Sequence, residues 1–169
     1  MNPAHLHLLI NHFPVVGLFL GSLLLLVGVI LKNSTLKKTS YFMLIFIGFT
    51  AILANATGER AEDVVEKHIE LSNLNTNNFD AVKITSDKLK ATHEHIENHE
   101  HDAKGLMQFV FGLILLSSLS LLLEFKKKSM AKYASFIVLV VSAFALYFAV
   151  QVGNSGGKIN HPEIELQAD

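Results

Sequence analysis

The sequence contains no cysteine at all. Disulfides, thiolate metal sites, iron-sulfur clusters and covalently attached haem are therefore excluded. Net charge is almost absent as well, at -1 over 169 residues. Several functional signatures are also missing. There is no glycine-rich phosphate loop and no basic patch of the kind that binds nucleic acid, so a nucleic-acid partner is not expected. The Glu-x-x-His signature of di-iron bundles does not occur. No hydrolytic constellation is present, because the serines of the third apolar run lack an adjacent histidine and Ser155 falls in what reads as a flexible tail. No basic residue precedes the first apolar run and no small-residue cleavage site follows it, so a cleavable signal is not expected.

What the chain has is apolar length. Half of its residues are apolar, and the charged residues cluster between apolar runs instead of alternating with them. The four runs are Phe13 to Leu31, Tyr41 to Ala56, Leu106 to Leu123 and Tyr133 to Val152. At about 1.5 Å per residue, ~20 helical residues cross a hydrocarbon core of ~30 Å. No run shows the alternation of barrel strands, and backbone polar groups in lipid must be satisfied within the segment. The expected fold is all-α, an integral membrane four-helix bundle with an extracytoplasmic helical loop. It forms a single domain, with spans at about 9–31, 40–57, 104–124 and 132–152 and an outer loop at about 58–103.

The small net charge conceals a sidedness. Lys32, Lys37, Lys38, Lys126, Lys127, Lys128 and Lys132 occupy the two short connections against one flanking acid, Glu124. The positive-inside rule then puts both connections in the cytoplasm and both termini on the outer side, in the manner of a multi-pass protein of a bacterial inner membrane. All nine histidines would face outward.

The first span is preceded by Asn2-Pro-Ala-His-Leu-His-Leu-Leu-Ile-Asn-His-Phe-Pro14. Asn2 and Pro3 predict a helix start. His5, Leu8, Leu9, His12 and Val16 share one helical face, expected to turn inward, and Pro14 frees the carbonyl of Ile10 beside His12. After the second span, Ala61, Val64, Val65, His68, Ile69 and Ser72 predict an amphipathic surface helix, with Glu59 and Glu62 at its start. Ser72 to Thr85 reads as a polar loop, and a new helix is expected from about Ser86. On that helix Leu89, Ile96, His99, Ala103, Leu106 and Val110 align, so His99 should face the bundle. His95 and His99, four apart, suit a metal held from one face, while His93 and His101 read as exposed. Gln108, Gln151 and Asn55 fall near the depth of His12 and predict a polar layer at the outer end. The tail after Gly153 reads as a turn and an extended segment.

The motifs His5-Leu-His-Leu-Leu-Ile-Asn-His-Phe-Pro-Val-Val-Gly17, Thr57-Gly-Glu-Arg-Ala-Glu62 and Ile96-Glu-Asn-His-Glu-His-Asp-Ala103 resemble a family of uncharacterised bacterial four-span membrane proteins grouped under a domain of unknown function. The resemblance covers nearly the whole chain apart from about His68 to Thr85. The Gly156-Gly-Lys-Ile-Asn-His161 tail is similar to a Gly-Gly turn and histidine that follow the last span in the wider family, whereas Arg60 stands where proline is expected in close relatives. What the resemblance implies is b-type haem, or work beside respiratory redox domains.

Three functions follow. A small electron-transfer subunit would hold haem b between imidazoles of facing helices, with His12 and His99 as the pair. His5, about 10 Å from His12 along the helix, would serve a separate site. A metal-binding or sensing protein would use His95, His99, Glu100 and Glu59 or Glu62, a mixed donor set suited to zinc, iron or manganese. A structural accessory subunit of a respiratory or other membrane complex would need only the helix packing. No catalytic residue is assigned, and the sequence leans away from an enzyme.

Overall fold

A computed structural model describes the backbone of residues 3–74 and 79–160 and, within them, the side chains of residues 10, 12–58 and 94–157. Among the described residues every regular element is a helix: α1 (Pro3–Ile30), α2 (Ser34–Leu74), α3 (Phe79–Phe125) and α4 (Ala131–Asn160). Each helix packs on its neighbours in chain order and α4 closes back on α1, which leaves α1 and α3 on one diagonal. All four are long and apolar enough to cross a membrane, over His12–Ile30, Ser34–Gly58, Glu94–Phe125 and Ala131–Gly157. The surface agrees with that reading. Phe19, Leu23, Phe46, Leu53, Leu115, Phe136 and Val150 point outward, and an apolar surface of this extent suits lipid and not water. The chain is a multi-pass membrane protein.

Helix continuity exceeds the expectation in three places. The predicted surface helix from Ala61 is the uninterrupted continuation of α2, and of the predicted polar loop Ser72 to Leu74 and Phe79 to Thr85 are helical, residues 75–78 lying outside the described residues. Between Pro14 and Pro162 the chain has no proline, and the lone Gly58 costs a helix only about 1 kcal/mol relative to alanine. The expected turn after Gly153 is helical as well. No glycine among the described residues has a positive φ, and the Ser155 hydroxyl donates to the Gln151 carbonyl at 3.0 Å within the last turns of α4.

The two lysine-rich connections are tight. Lys32 (φ 52°) and Lys127 (φ 51°) take the left-handed conformation that ends a helix. Around each, two backbone bonds reach back: Lys32 N to Val29 O and Asn33 N to Gly28 O, then Lys127 N to Glu124 O and Lys128 N to Leu123 O. That is the Schellman pattern at both turns. Asn33 then starts α2, its Oδ1 accepting the Leu36 amide at 3.1 Å.

Small residues set the helix spacing. On α1 Gly17 faces Ile47, Gly21 faces Leu44, and a Cβ at Gly28 would lie 3.0 Å from the Lys37 backbone nitrogen. Without a hydrophobic drive between helices in lipid, such close approach is what lets dispersion contacts hold them together. The core behind these contacts comprises Leu18, Leu25, Tyr41, Leu44, Ile47, Leu113, Leu121, Val138, Ala145 and Ala149. Between α3 and α4, Phe109 stacks on Phe144 and Phe148 with ring centroids 5.8 and 5.0 Å away.

Candidate functional site

The helix continuity described above carries His99 onto the side of α4. Ile96 and Val110 on its stripe are buried, and His99, Ala103 and Leu106 are half-buried, as the spacing predicts. The ring lies against Gly156, where a Cβ would come within 3.0 Å of its Cε1. Its Nδ1 is 3.1 Å from the Val152 carbonyl oxygen and 3.3 Å from the Ser155 hydroxyl. A carbonyl oxygen can only accept, so the Nδ1 proton is directed at Val152 and, in the neutral ring, the lone pair resides on Nε2. Ser155 is thus a buried partner of His99 and not part of a loose tail.

Its neighbours divide as expected in part. His101 falls off the stripe with 90% of its side chain exposed, its Nδ1 3.9 Å from Asp102. His95 is half-buried one turn before His99. The Glu100 carboxylate accepts from Lys104 on its own helix at 2.7 Å, at the surface. The side chains of His5, His93, Glu59 and Glu62 lie outside the described residues. Among the described residues no three histidine or carboxylate groups converge as a metal site.

His12 departs from the expected burial. It is exposed and shares an outward stripe of α1 with Val16, Phe19, Leu23, Leu26 and Ile30. The inward stripe is Pro14, Leu18, Gly21, Leu25 and Gly28, because the glycines admit α2 on that side. From Phe13 to Leu31 the chain is apolar all round apart from Ser22, so hydropathy does not distinguish lipid from protein as the thing each face of α1 meets.

The predicted polar layer at this end does not converge either. Gln108 is exposed, Gln151 donates to the Tyr147 hydroxyl on its own helix at 3.1 Å, and Asn55 is half-buried. The polar interior lies at the opposite, lysine-rich end. There the Lys37 Nζ sits 2.8 and 2.9 Å from the two carboxylate oxygens of Glu124, with 14% and 7% of their side chains exposed. One turn deeper the Tyr41 and Ser135 hydroxyls bond at 2.7 Å with Ser120 also facing Tyr41, and Ser40, Ser117 and Ser142 are buried on the same three helices. Sequence reasoning treats Glu124 only as a flanking acid. The signal that would find this cluster is spacing: Ser117, Ser120 and Glu124 recur at helical intervals inside an apolar run, as do Ser135 and Ser142.

Comparison with protein families, with curated proteins and with solved structures finds no match to this chain.

Proposed function

We propose that the chain is a small integral-membrane redox-type subunit that holds haem b or a metal ion through His99. The observation that carries this reading is the contact from Nδ1 to the Val152 carbonyl. A ligating histidine usually has its other ring nitrogen fixed by such a partner, which sets the tautomer and aims the ligating nitrogen. Nε2 of His99 is then the donor atom. For haem the opposing imidazole would be His12 of α1, which would have to turn from its outward stripe toward His99, with His5 at a separate site; for zinc, iron or manganese the further donors would come from His95, Glu100, Glu59 or Glu62. Bound haem would supply one-electron transfer, and the protein would supply its orientation and its apolar surroundings.

In this reading the lysine-rich turns lie in the cytoplasm and the histidines face outward from a bacterial inner membrane, beside respiratory or other membrane-complex subunits. Absorption spectroscopy and elemental analysis of the purified protein test it: a haem band or a stoichiometric metal is expected, and either should be lost in His99→Ala while the protein remains inserted.

A second reading, a structural accessory subunit, is favoured by two contacts seen as fasteners. His99 ties α3 to α4, and the Lys37–Glu124 pair ties α2 to α3. A colourless, metal-free wild type would decide for it.

A further inference from the structure

The lysine-rich end carries seven lysines and a single carboxylate, Glu124. That carboxylate is buried against Lys37, so it balances one ammonium and no other. Lys32, Lys38, Lys126, Lys127, Lys128 and Lys132 have no carboxylate partner among the described residues.

Two of these lysines stand at the head of a groove between α2 and α3. The Lys38 Nζ lies 4.6 Å from the centroid of the Phe125 ring, which brings the start of α2 against the end of α3 on their outer side. An aromatic face holds a cation without cancelling its charge. Lys126, the next residue after Phe125, is exposed. Below Lys38 the stripe of α2 continues through Phe42, Ile45 and Phe49, and below Phe125 the stripe of α3 continues through Leu122, Ser118, Leu115 and Phe111. Phe42, Phe49, Phe111, Leu115 and Leu122 are exposed, while Gly48 lies against Ile114 where the two helices meet. Lys38 and Phe49 are 11 residues apart. That is about 16 Å along a helix, close to half of a ~30 Å hydrocarbon core.

We propose that this groove binds an anionic phospholipid, its phosphate between Lys38 and Lys126 and one acyl chain along the apolar walls. Charge selects the class. A zwitterionic lipid brings an ammonium together with its phosphate, and the one carboxylate at this end already faces Lys37 in the interior. A headgroup of net negative charge, as in phosphatidylglycerol, brings no cation that needs a partner. Basic residues draw anionic lipid to a membrane surface in general, and the contact of Lys38 with Phe125 fixes one place for it. The inference uses none of the histidines and stands apart from the haem or metal reading.

Native mass spectrometry of the full-length protein, released from mixed micelles with equal amounts of phosphatidylglycerol and phosphatidylethanolamine, tests this. Retention of the first over the second by about tenfold is expected. Lys38→Gln and Lys126→Gln should each weaken phosphatidylglycerol binding about fivefold, and Lys38→Arg should keep it. Lys132→Gln removes the same charge from α4, where the ammonium lies over Tyr133, and should change binding by less than about twofold. Equal retention of the two lipids overturns the proposal. So does an equal loss in Lys132→Gln and Lys38→Gln, which would mark a diffuse basic surface. Displacement of the lipid by an equal concentration of glycerol 3-phosphate would mean that the acyl chain contributes nothing, and overturns it as well.

Discussion

Lys37 on α2 reaches Glu124 on α3 with its ammonium 2.8 and 2.9 Å from the two carboxylate oxygens, in a setting where both side chains are largely buried. The pair sits beside Tyr41 and one turn from the helix ends, so it fixes the rotation of α2 against α3 at the place where both connecting turns meet the bundle. Removing one member leaves the other charge uncompensated. Glu124→Ala or Lys37→Met alone should destabilise by about 3 kcal/mol, whereas the apolar double variant Lys37→Met with Glu124→Leu should recover most of it. Denaturation in mixed micelles measures both, and equal loss in single and double variants would show that the pair is not the coupling element.

The turn lysines are conformationally costly. Lys32 and Lys127 hold a left-handed backbone that costs a side-chain-bearing residue roughly 1 kcal/mol relative to glycine. Lys32→Gly and Lys127→Gly are therefore expected to raise stability by up to about 1 kcal/mol each, and Asn33→Ala to lower it by about 1 kcal/mol through loss of the Leu36 cap. Unfolding midpoints of the three variants check the signs.

Two glycines should respond in opposite ways to alanine. A methyl at Gly28 would meet the backbone nitrogen of Lys37 at 3.0 Å, and backbone cannot swing aside as a side chain can. Gly28→Ala should cost about 1–3 kcal/mol through separation of α1 from α2. At Gly112 a Cβ meets nothing within 4 Å, so Gly112→Ala should be neutral or stabilising by up to about 1 kcal/mol from helix propensity alone. Helix–helix distances from spin labels on α1 and α2 would report the first effect.

Four apolar runs are legible in the sequence because length and composition decide spanning, and lipid requires the backbone to satisfy itself. The facing of His99 is legible for a similar reason: its stripe of Ile96, Ala103 and Val110 interrupts polar sequence, so only one side of α3 could pack. His12 offers no such contrast. The helix after it is apolar on nearly every side, and the inward face is selected by Gly17, Gly21 and Gly28, whose importance lies in closeness and not in hydropathy. The buried serines escape notice for a related reason. Hydroxyls that bond their own helix carbonyls add little polarity to an apolar run, and only the partner helix shows that they share one interior with Glu124.

The orientation of the bundle is testable with two exposed positions at opposite ends, Ser34 at the start of α2 and Asn154 in the last turns of α4. Ser34→Cys is expected to label only from the cytoplasmic side and Asn154→Cys only from the outer side if the seven turn lysines follow the positive-inside rule. An impermeant thiol reagent applied to intact and opened cells measures this. Labelling of both positions from one side would remove the basis for outward-facing histidines.

Gly156 separates the two readings of the histidine end. The His99 ring rests on this glycine, and an added Cβ would stand 3.0 Å from Cε1 and 3.3 Å from Nδ1. Gly156→Val, whose γ-methyls add to that contact, is therefore expected to shift the imidazole from the Val152 carbonyl while leaving the histidine in the chain. If His99 ligates haem or a metal, Gly156→Val should lose the bound group or alter its spectrum nearly as His99→Ala does, and His101→Ala should do little because its side chain is exposed. If His99 only fastens α3 to α4, Gly156→Val and His99→Ala should each lower stability by about 1 kcal/mol, the net worth of one hydrogen bond, with no spectral change. Absorption spectra and unfolding midpoints recorded on the same three variants distinguish these outcomes. Equal loss of the bound group in His99→Ala and His101→Ala would instead mark a loose surface trap, in which the geometry of His99 plays no part.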